Sequence, residues 1–308
     1  MARVVISEFM DAPGVAQLAA AHDVVYDATL VDDPQRLRSL AGGADALVVR
    51  NRTQVRGDLL AALVRCKVVA RLGVGLDNID TEACATRGIA VIPAVGANAR
   101  SVAEYVIASA MLLMRGIYRS TDEVIAGGWP RGALSNGREI GGKVLGLIGF
   151  GSIGRVTARL AQGVGMRVMA FDALLSPNDR VHAEAGVEAA GLDAVLAAAD
   201  VVSLHVPLLA STRGLIDAAR IAAMKPGAVL VNAARGGIVD EAALVAALKS
   251  GHLGGAALDV FVVEPLPAGN VFAGCPNLLL TPHIAGPSKE SSTRISMLIA
   301  ERVLEALH

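Results

Sequence analysis

Three side chains of this 308-residue chain, Arg235, Glu264 and His283, each stand a few residues past an apolar, strand-like run. An imidazole can give and take a hydroxyl proton near neutral pH. A carboxylate bonded to its other ring nitrogen fixes the tautomer and raises its basicity. A guanidinium can grip a carboxylate with two hydrogen bonds and polarise the carbonyl beside it. Together the three types suit hydride transfer between an alcohol and a carbonyl. Taken singly, each has a plainer use: a strand-end arginine in a structural ion pair, a glutamate as a turn residue before Pro265, a histidine as a satisfied structural side chain after Pro282. Convergence on one edge is what would make them catalytic.

A hydride needs a carrier, and one stretch is built to hold one. The apolar run 144–148 leads directly into Gly149-Phe150-Gly151-Ser152-Ile153-Gly154. In that spacing Gly149 permits a tight turn, Gly151 admits a pyrophosphate to the backbone, and Gly154 lets the next helix pack closely. A helix over 152–164 would aim its free N–H groups and positive dipole end at the phosphates. The next strand, 167–171, ends at Asp172, where a carboxylate takes the adenosine ribose 2′-OH and repels a 2′-phosphate. The expected cofactor is therefore NAD rather than NADP.

The elements that must position these groups alternate strand and helix throughout, which predicts an α/β fold with two Rossmann-like domains and parallel sheets. Strands are expected over 3–7, 24–27, 46–49, 68–71 and 89–92 in a first domain. A second set follows at 144–148, 167–171, 200–205, 228–232, 255–259 and 277–281. In the first domain, strand-end loops carry Arg50-Asn51-Arg52-Thr53 and Leu72-Gly73-Val74-Gly75-Leu76-Asp77-Asn78, the natural substrate wall of an open sheet. One long helix is expected over 101–126, capped by Ser101 with Glu104 three residues later, and buried between domains or in a subunit interface, with an ordinary core helix as the plainer alternative. A final helix over 288–307 should return to the first domain. The cofactor domain (98–287) would then be inserted in a discontinuous substrate domain (1–97 and 288–308).

Composition narrows the partners. The chain is 53% hydrophobic and 19% charged, enough for sizeable cores and against disorder. A net charge of −1 without a basic tract, and only 3% aromatics, exclude nucleic acid and an anionic membrane as expected partners. Cys66, Cys84 and Cys275 are scattered without metal-ligand spacing, so no metal is expected and the thiols read as reduced. No signal-peptide pattern precedes the first strand, and the expectation is a cytoplasmic protein.

The motifs also resemble those of the D-2-hydroxyacid dehydrogenase family. The resemblance is carried by Asn232-Ala233-Ala234-Arg235-Gly236-Gly237, by Ala257-Leu258-Asp259 with Glu264-Pro265, and by Thr281-Pro282-His283. His205-Val206-Pro207 and Gly73-Val74-Gly75-Leu76-Asp77-Asn78 are similar to the same family. The likeness implies Arg235 as a substrate anchor, Glu264 as the support of the histidine, and His283 as the acid/base. It implies cofactor contacts at Val74, Ser152, Ile153, Asp172, His205, Val206 and Pro207. Further contacts are implied at Ala233, Ala234, Arg235, Asp259, His283, Ala285 and Gly286. Substrate contacts would come from Gly73, Val74, Gly75, Arg235 and His283, with Arg50 and Arg52 on a distal anion and Arg131 adding a further anion contact. The substrate would be a small 2-hydroxy or 2-keto acid bearing phosphate or sulfonate, since guanidinium forks match tetrahedral oxyanions. The loop at Arg50–Arg52 resembles that of phosphoglycerate dehydrogenases, and Ile6-Ser7-Glu8-Phe9-Met10-Asp11 resembles the (S)-sulfolactate dehydrogenase branch. The resemblance further implies a homodimer through the long helix. Formate dehydrogenases of the family carry Gln where this chain has Glu264, which counts against that activity. Corepressors that sense dinucleotides share the fold and the triad, so an NAD(H)-sensing binding protein is the alternative, against which the arginine loop speaks.

Overall fold

The computed structural model describes residues 1–117 and 120–308 and divides into two compact units. Unit 1 comprises Met1–Asn98 with Pro287–His308, and unit 2 is Ala99–Gly286.

Unit 1 runs β1 (Arg3–Ile6), α1 (Ala12–Ala19), β2 (Asp23–Tyr26), α2 (Pro34–Ala41), β3 (Ala46–Val49), α3 (Gly57–Ala62), β4 (Val68–Arg71), α4 (Thr81–Thr86) and β5 (Ala90–Pro93). Its sheet has the order β2-β1-β3-β4-β5 with every pairing parallel. β1 and β3 are Val- and Ile-rich and almost wholly inaccessible to solvent, as strands covered on both faces must be. Leu47, Val49 and Val69 enter one core layer, and Val4, Ile6, Val48 and Ala70 enter the other. The strand order reverses between β1 and β3. At such a point the connections leave in opposite directions and open a crevice at the carboxyl edge.

Unit 2 begins with α5 (Ala99–Arg115), followed by α6 (Thr121–Ile125), α7 (Arg131–Leu134), β6 (Val144–Ile148), α8 (Ser152–Gly163), β7 (Arg167–Phe171), α9 (Arg180–Glu184) and β8 (Glu188–Ala189). It continues through α10 (Leu192–Ala198), β9 (Val201–Leu204), α11 (Ala218–Ala223), β10 (Val229–Asn232), α12 (Glu241–Lys249), β11 (Gly255–Leu258) and β12 (Leu278–Leu280). The seven-stranded sheet, β12-β11-β10-β9-β6-β7-β8, is also all parallel, with its reversal between β6 and β9. The chain closes in unit 1 with α13 (Lys289–Leu307), whose Ile295, Ile299, Ala300 and Val303 join the layer of Val4 and Ile6.

The single helix expected over 101–126 is two helices. Gly116 takes the left-handed conformation (φ 65°) directly after Arg115 and stops α5, a helix ending that only a residue without a Cβ adopts cheaply. Residues 118 and 119 of that expected helix lie outside the described residues. Ser101 is not its cap either. The helix already runs from Ala99, and the Glu104 carboxylate pairs with Arg100. The buried stripe of α5 (Val106, Ile107, Ala110, Leu113, Met114) packs in a core layer of its own unit with Leu145, Leu147 and Ala158. Burial of that stripe is therefore ordinary core packing.

Candidate active site

The glycine-rich turn does three different things at its three glycines. Gly149 sits at φ 101°, and a Cβ there would come within 2.6 Å of the His205 carbonyl oxygen at the end of β9. A Cβ on Gly154 would lie 2.4 Å from the Gly149 carbonyl oxygen, so the first turn of α8 closes on the strand end only without one. A Cβ on Gly151 would meet nothing within 4 Å. That open side, at the N-terminus of α8 and at the strand-order reversal, is a cradle for a pyrophosphate. Asp172 closes it from β7: its Oδ2 accepts the Phe150 N–H at 2.7 Å and its Oδ1 the Leu174 N–H at 2.9 Å. Each carboxylate oxygen has a second lone pair, so both remain able to accept from ribose hydroxyls. The residues present fit NAD. Ser152 and Ile153 open α8, and His205, Val206 and Pro207 follow β9 across the reversal. Burial pushes the His205 imidazole down to about 4, leaving it neutral at physiological pH, with Nε2 3.0 Å from the Ser203 hydroxyl.

Further along the same edge, His283 and Glu264 meet. His283 Nδ1 lies 2.8 Å from Glu264 Oε2, and Glu264 Oε1 accepts the Phe261 N–H at 3.0 Å. Because a carboxylate only accepts, Nδ1 carries the proton and Nε2 presents its lone pair. The histidine is half-exposed and stands in the left-handed region, φ 57°, a conformation that a residue with a side chain holds only under constraint. The constraint comes from Asp259, which is buried to 1% exposure. Its carbonyl accepts the His283 N–H at 2.8 Å. Its Oδ1 accepts the Thr281 hydroxyl and the Ile284 N–H, both at 2.7 Å, and its Oδ2 the Ala285 N–H at 2.8 Å. Since Thr281 donates to Asp259, the Tyr105 hydroxyl 2.8 Å away must donate to Thr281. Asp259 is expected against the cofactor; its oxygens are engaged with the turn that carries His283 and Ala285. Nothing in the local sequence shows this, because the bonded groups lie 22 to 26 residues apart.

Arg235 follows β10 in a turn held by buried Asn232, whose Oδ1 accepts the Ala234 N–H at 3.1 Å and whose Nδ2 donates to the Arg235 carbonyl at 3.0 Å. Ala233 and Ala234 occupy the same turn, and Gly286 ends unit 2.

In unit 1 the arginine loop is assembled differently from expectation. Arg52 turns to Asp32 and forms an ion pair with it, so it is not a second fork beside Arg50. The neighbour is Arg71. Val49 and Arg71 are register partners on β3 and β4, so Arg50 and Arg71 leave adjacent strand ends. The Arg71 guanidinium lies so close over Gly73 that a Cβ there would be 1.7 Å from it. Arg71 is not among the expected substrate contacts, although an arginine that closes the apolar run 68–70 at a carboxyl edge is a visible signal in the sequence. Arg50 lies over the Phe9 ring, 5.8 Å from its centroid. Glu8, which nothing in the local sequence marks as a partner of this loop, accepts the backbone N–H groups of Arg50, Asn51, Arg52 and Thr53 with its carboxylate. Gly73, Val74 and Gly75 lie in the loop after β4, and Arg131 is exposed at the start of α7. Among the described residues, no cluster of three or more His, Cys, Asp or Glu could hold a metal ion, and no helix is long and apolar enough to cross a membrane.

Residues 107–285 match the family described as D-isomer specific 2-hydroxyacid dehydrogenase, NAD binding domain. The chain belongs to that family. It is an NAD-dependent 2-hydroxyacid dehydrogenase. It is 53% identical over 307 residues to the (S)-sulfolactate dehydrogenase of Chromohalobacter salexigens, covering 100% of this chain and 99% of that one. It is 41% identical over 279 residues to the D-3-phosphoglycerate dehydrogenase of Mycobacterium leprae, covering 90% of this chain but 52% of that protein. Among solved structures, the enzyme is similar to a glyoxylate reductase from Paecilomyes thermophila, with a TM-score of 0.87, 28% identity, and coverage of 100% of this chain and 95% of that one.

Proposed function

We propose that the enzyme oxidises a small 2-hydroxy acid carrying a second, distal anion, (S)-sulfolactate foremost. The observation that carries the reading is the pair Arg50 and Arg71 at the ends of two registered strands, two cations at one edge of unit 1. One relative that matches end to end is a sulfolactate dehydrogenase, whereas the chain spans about half of the phosphoglycerate dehydrogenase it resembles; both names support an anionic substrate.

In this reading Arg235 holds the substrate carboxylate, a two-pronged contact that also polarises the adjacent C–O bond. His283 Nε2 takes the hydroxyl proton in oxidation and returns it in reduction. Glu264 keeps Nδ1 protonated and stabilises the imidazolium that results. The hydride of the carbinol carbon would be taken up, or in the reverse direction supplied, by NAD held at Asp172 and the N-terminus of α8. Asp172 takes the ribose hydroxyls, and the N-terminus of α8 takes the pyrophosphate. Arg50 and Arg71 spend their attraction on the distal anion, which lowers KM more than it raises kcat. Arg131, offered by a second copy in a homodimer, adds a further cation.

The test is steady-state turnover with NAD on (S)-sulfolactate, 3-phosphoglycerate and lactate. The expected order places both distal anions well ahead of lactate, which has none. Arg50→Ala should raise KM for the anionic substrate roughly ten- to a hundredfold, as for one charge-assisted contact, and change lactate kinetics little. Lactate turned over as well as sulfolactate would refute the reading.

A further inference from the structure

Glu8 is the least expected group in unit 1: a glutamate only 4% exposed, just past the end of β1. Four consecutive backbone N–H groups turn toward it. Those of Arg50, Arg52 and Thr53 lie at 2.8 to 3.0 Å and that of Asn51 at 3.3 Å. Such a concave array of N–H groups is an anion receptor, and here the chain supplies its own anion. Burial alone would push the Glu8 carboxyl up, but the backbone N–H groups of Thr53, Arg50 and Arg52 and the Thr53 hydroxyl outweigh it and hold it below the usual range. The loop is braced from outside as well. Asn78 Nδ2 donates to the Thr53 carbonyl at 2.7 Å, and the Ser7 and Thr53 hydroxyls meet at 2.9 Å. The next residue, Phe9, lies under the Arg50 guanidinium. One short segment therefore fixes both the backbone and the side-chain head of Arg50, at the β1–β3 reversal where a ligand crevice opens.

We propose that Glu8 is a positioning residue for substrate specificity: by filling the backbone nest of residues 50–53 it leaves the Arg50 guanidinium, rather than the loop N–H groups, to read the distal anion. The inference rests on the assignment of a distal anion to Arg50. An empty nest would accept any carboxylate or phosphate through backbone dipoles. A filled one transfers recognition to one full positive charge on a planar fork, placed where the side chain of Arg50 is held.

The experiment compares wild type, Glu8→Gln, Glu8→Asp, Arg50→Ala and the double variant Glu8→Gln/Arg50→Ala. Each is assayed on the faster of (S)-sulfolactate and 3-phosphoglycerate, and on lactate. An amide offers one accepting oxygen and turns its NH2 toward N–H groups, so the nest opens. Glu8→Gln should raise KM for the anionic substrate about tenfold with kcat within about twofold, and leave lactate within about twofold. Glu8→Asp keeps the charge and should recover part of the loss; it also serves if the amide variant folds poorly. The double variant should match Arg50→Ala alone, because Glu8 acts through Arg50. The proposal is overturned if Glu8→Gln leaves KM for the anion unchanged while Arg50→Ala raises it, if both substrates suffer equally, or if KM falls, which would mean that the carboxylate repels the anion. An Arg50→Ala variant with unchanged KM would sink the distal-anion assignment itself, and Glu8 with it.

Discussion

Asp259→Asn offers a direct test of how His283 is held. In the wild type, both carboxylate oxygens accept from the histidine turn: Oδ1 from Thr281 and Ile284, Oδ2 from Ala285. An asparagine cannot reproduce this in either orientation. With its NH2 in the place of Oδ2, the buried Ala285 N–H faces a donor; flipped, the Ile284 N–H does. One buried backbone N–H is therefore left unsatisfied, at about 1–3 kcal/mol. The turn has little to spare, since the left-handed conformation of His283 already stores about 1–3 kcal/mol. If the whole cost falls on the balance between the positioned and a displaced turn, kcat drops roughly 5- to 150-fold, at tenfold per 1.36 kcal/mol. The assay is kcat and KM for wild type and Asp259→Asn, each repeated in a His283→Ala background. His283→Ala alone should lose about two to four orders of magnitude in kcat. With no imidazole left to position, Asp259→Asn should then cost less than about threefold more. An equal penalty in both backgrounds would refute positioning, as would a kcat within twofold of wild type.

Three further outcomes are expected. Asp172→Ala should weaken NAD and narrow the preference over NADP, read as the ratio of kcat/KM for the two cofactors; a wild type that uses both equally would remove the role of Asp172. Glu264→Gln should keep the shape of the dyad but shift the pH–rate profile, because the imidazolium loses its stabilising charge; an unchanged profile would exclude Glu264 from the mechanism. His205, held near pKa 4 by burial against 6.5 when unfolded, contributes stability that is fully present above pH 6.5 and lost as the pH falls toward 4. That loss is at most about 3 kcal/mol, so thermal melts of His205→Gln should be flatter than wild type between pH 6.5 and 4.5.

Most of what local pattern can carry was legible. The apolar runs that became β3, β4, β6 and β7 could be bounded to the residue, because charged residues or glycine stand at or just beyond their ends: Arg71 closes β4, Arg167 opens β7, and Gly149 follows β6. The stretch 101–126 contains no proline to break a helix, and it is the positive φ of Gly116 that ends α5. α2 was missed although Asp33 before Pro34 is a readable start: its carboxylate caps the Arg36 N–H at 3.0 Å. That His283 and Glu264 share one edge could be inferred from strand order. That Arg52 prefers Asp32, and that Arg71 stands beside Arg50, could not, because a surface arginine chooses its partner from residues brought together only by the fold.

The three acids of the two units share one physical cause. Where parallel strands stop, the N–H groups of the following loops lose their ladder partners but stay near the sheet edge, and they must be satisfied. The strand next door ends at the same edge about 4.8 Å away, so an acid just past its end can reach them. Glu8 after β1 takes the N–H groups of the loop after β3. Asp172 after β7 takes that of Phe150 after β6. Asp259 after β11 takes those of Ile284 and Ala285 after β12. Each acid rigidifies a neighbouring loop, Asp172 its own as well through the Leu174 N–H, and each such neighbouring loop carries a group assigned to the reaction: Arg50, the phosphate cradle, and His283. The chemistry of this enzyme is thus positioned by carboxylates that need touch no substrate. Amide substitutions at Glu8 and Asp259 should therefore cost function before they cost the fold, because the strands that carry the acids remain paired on both sides.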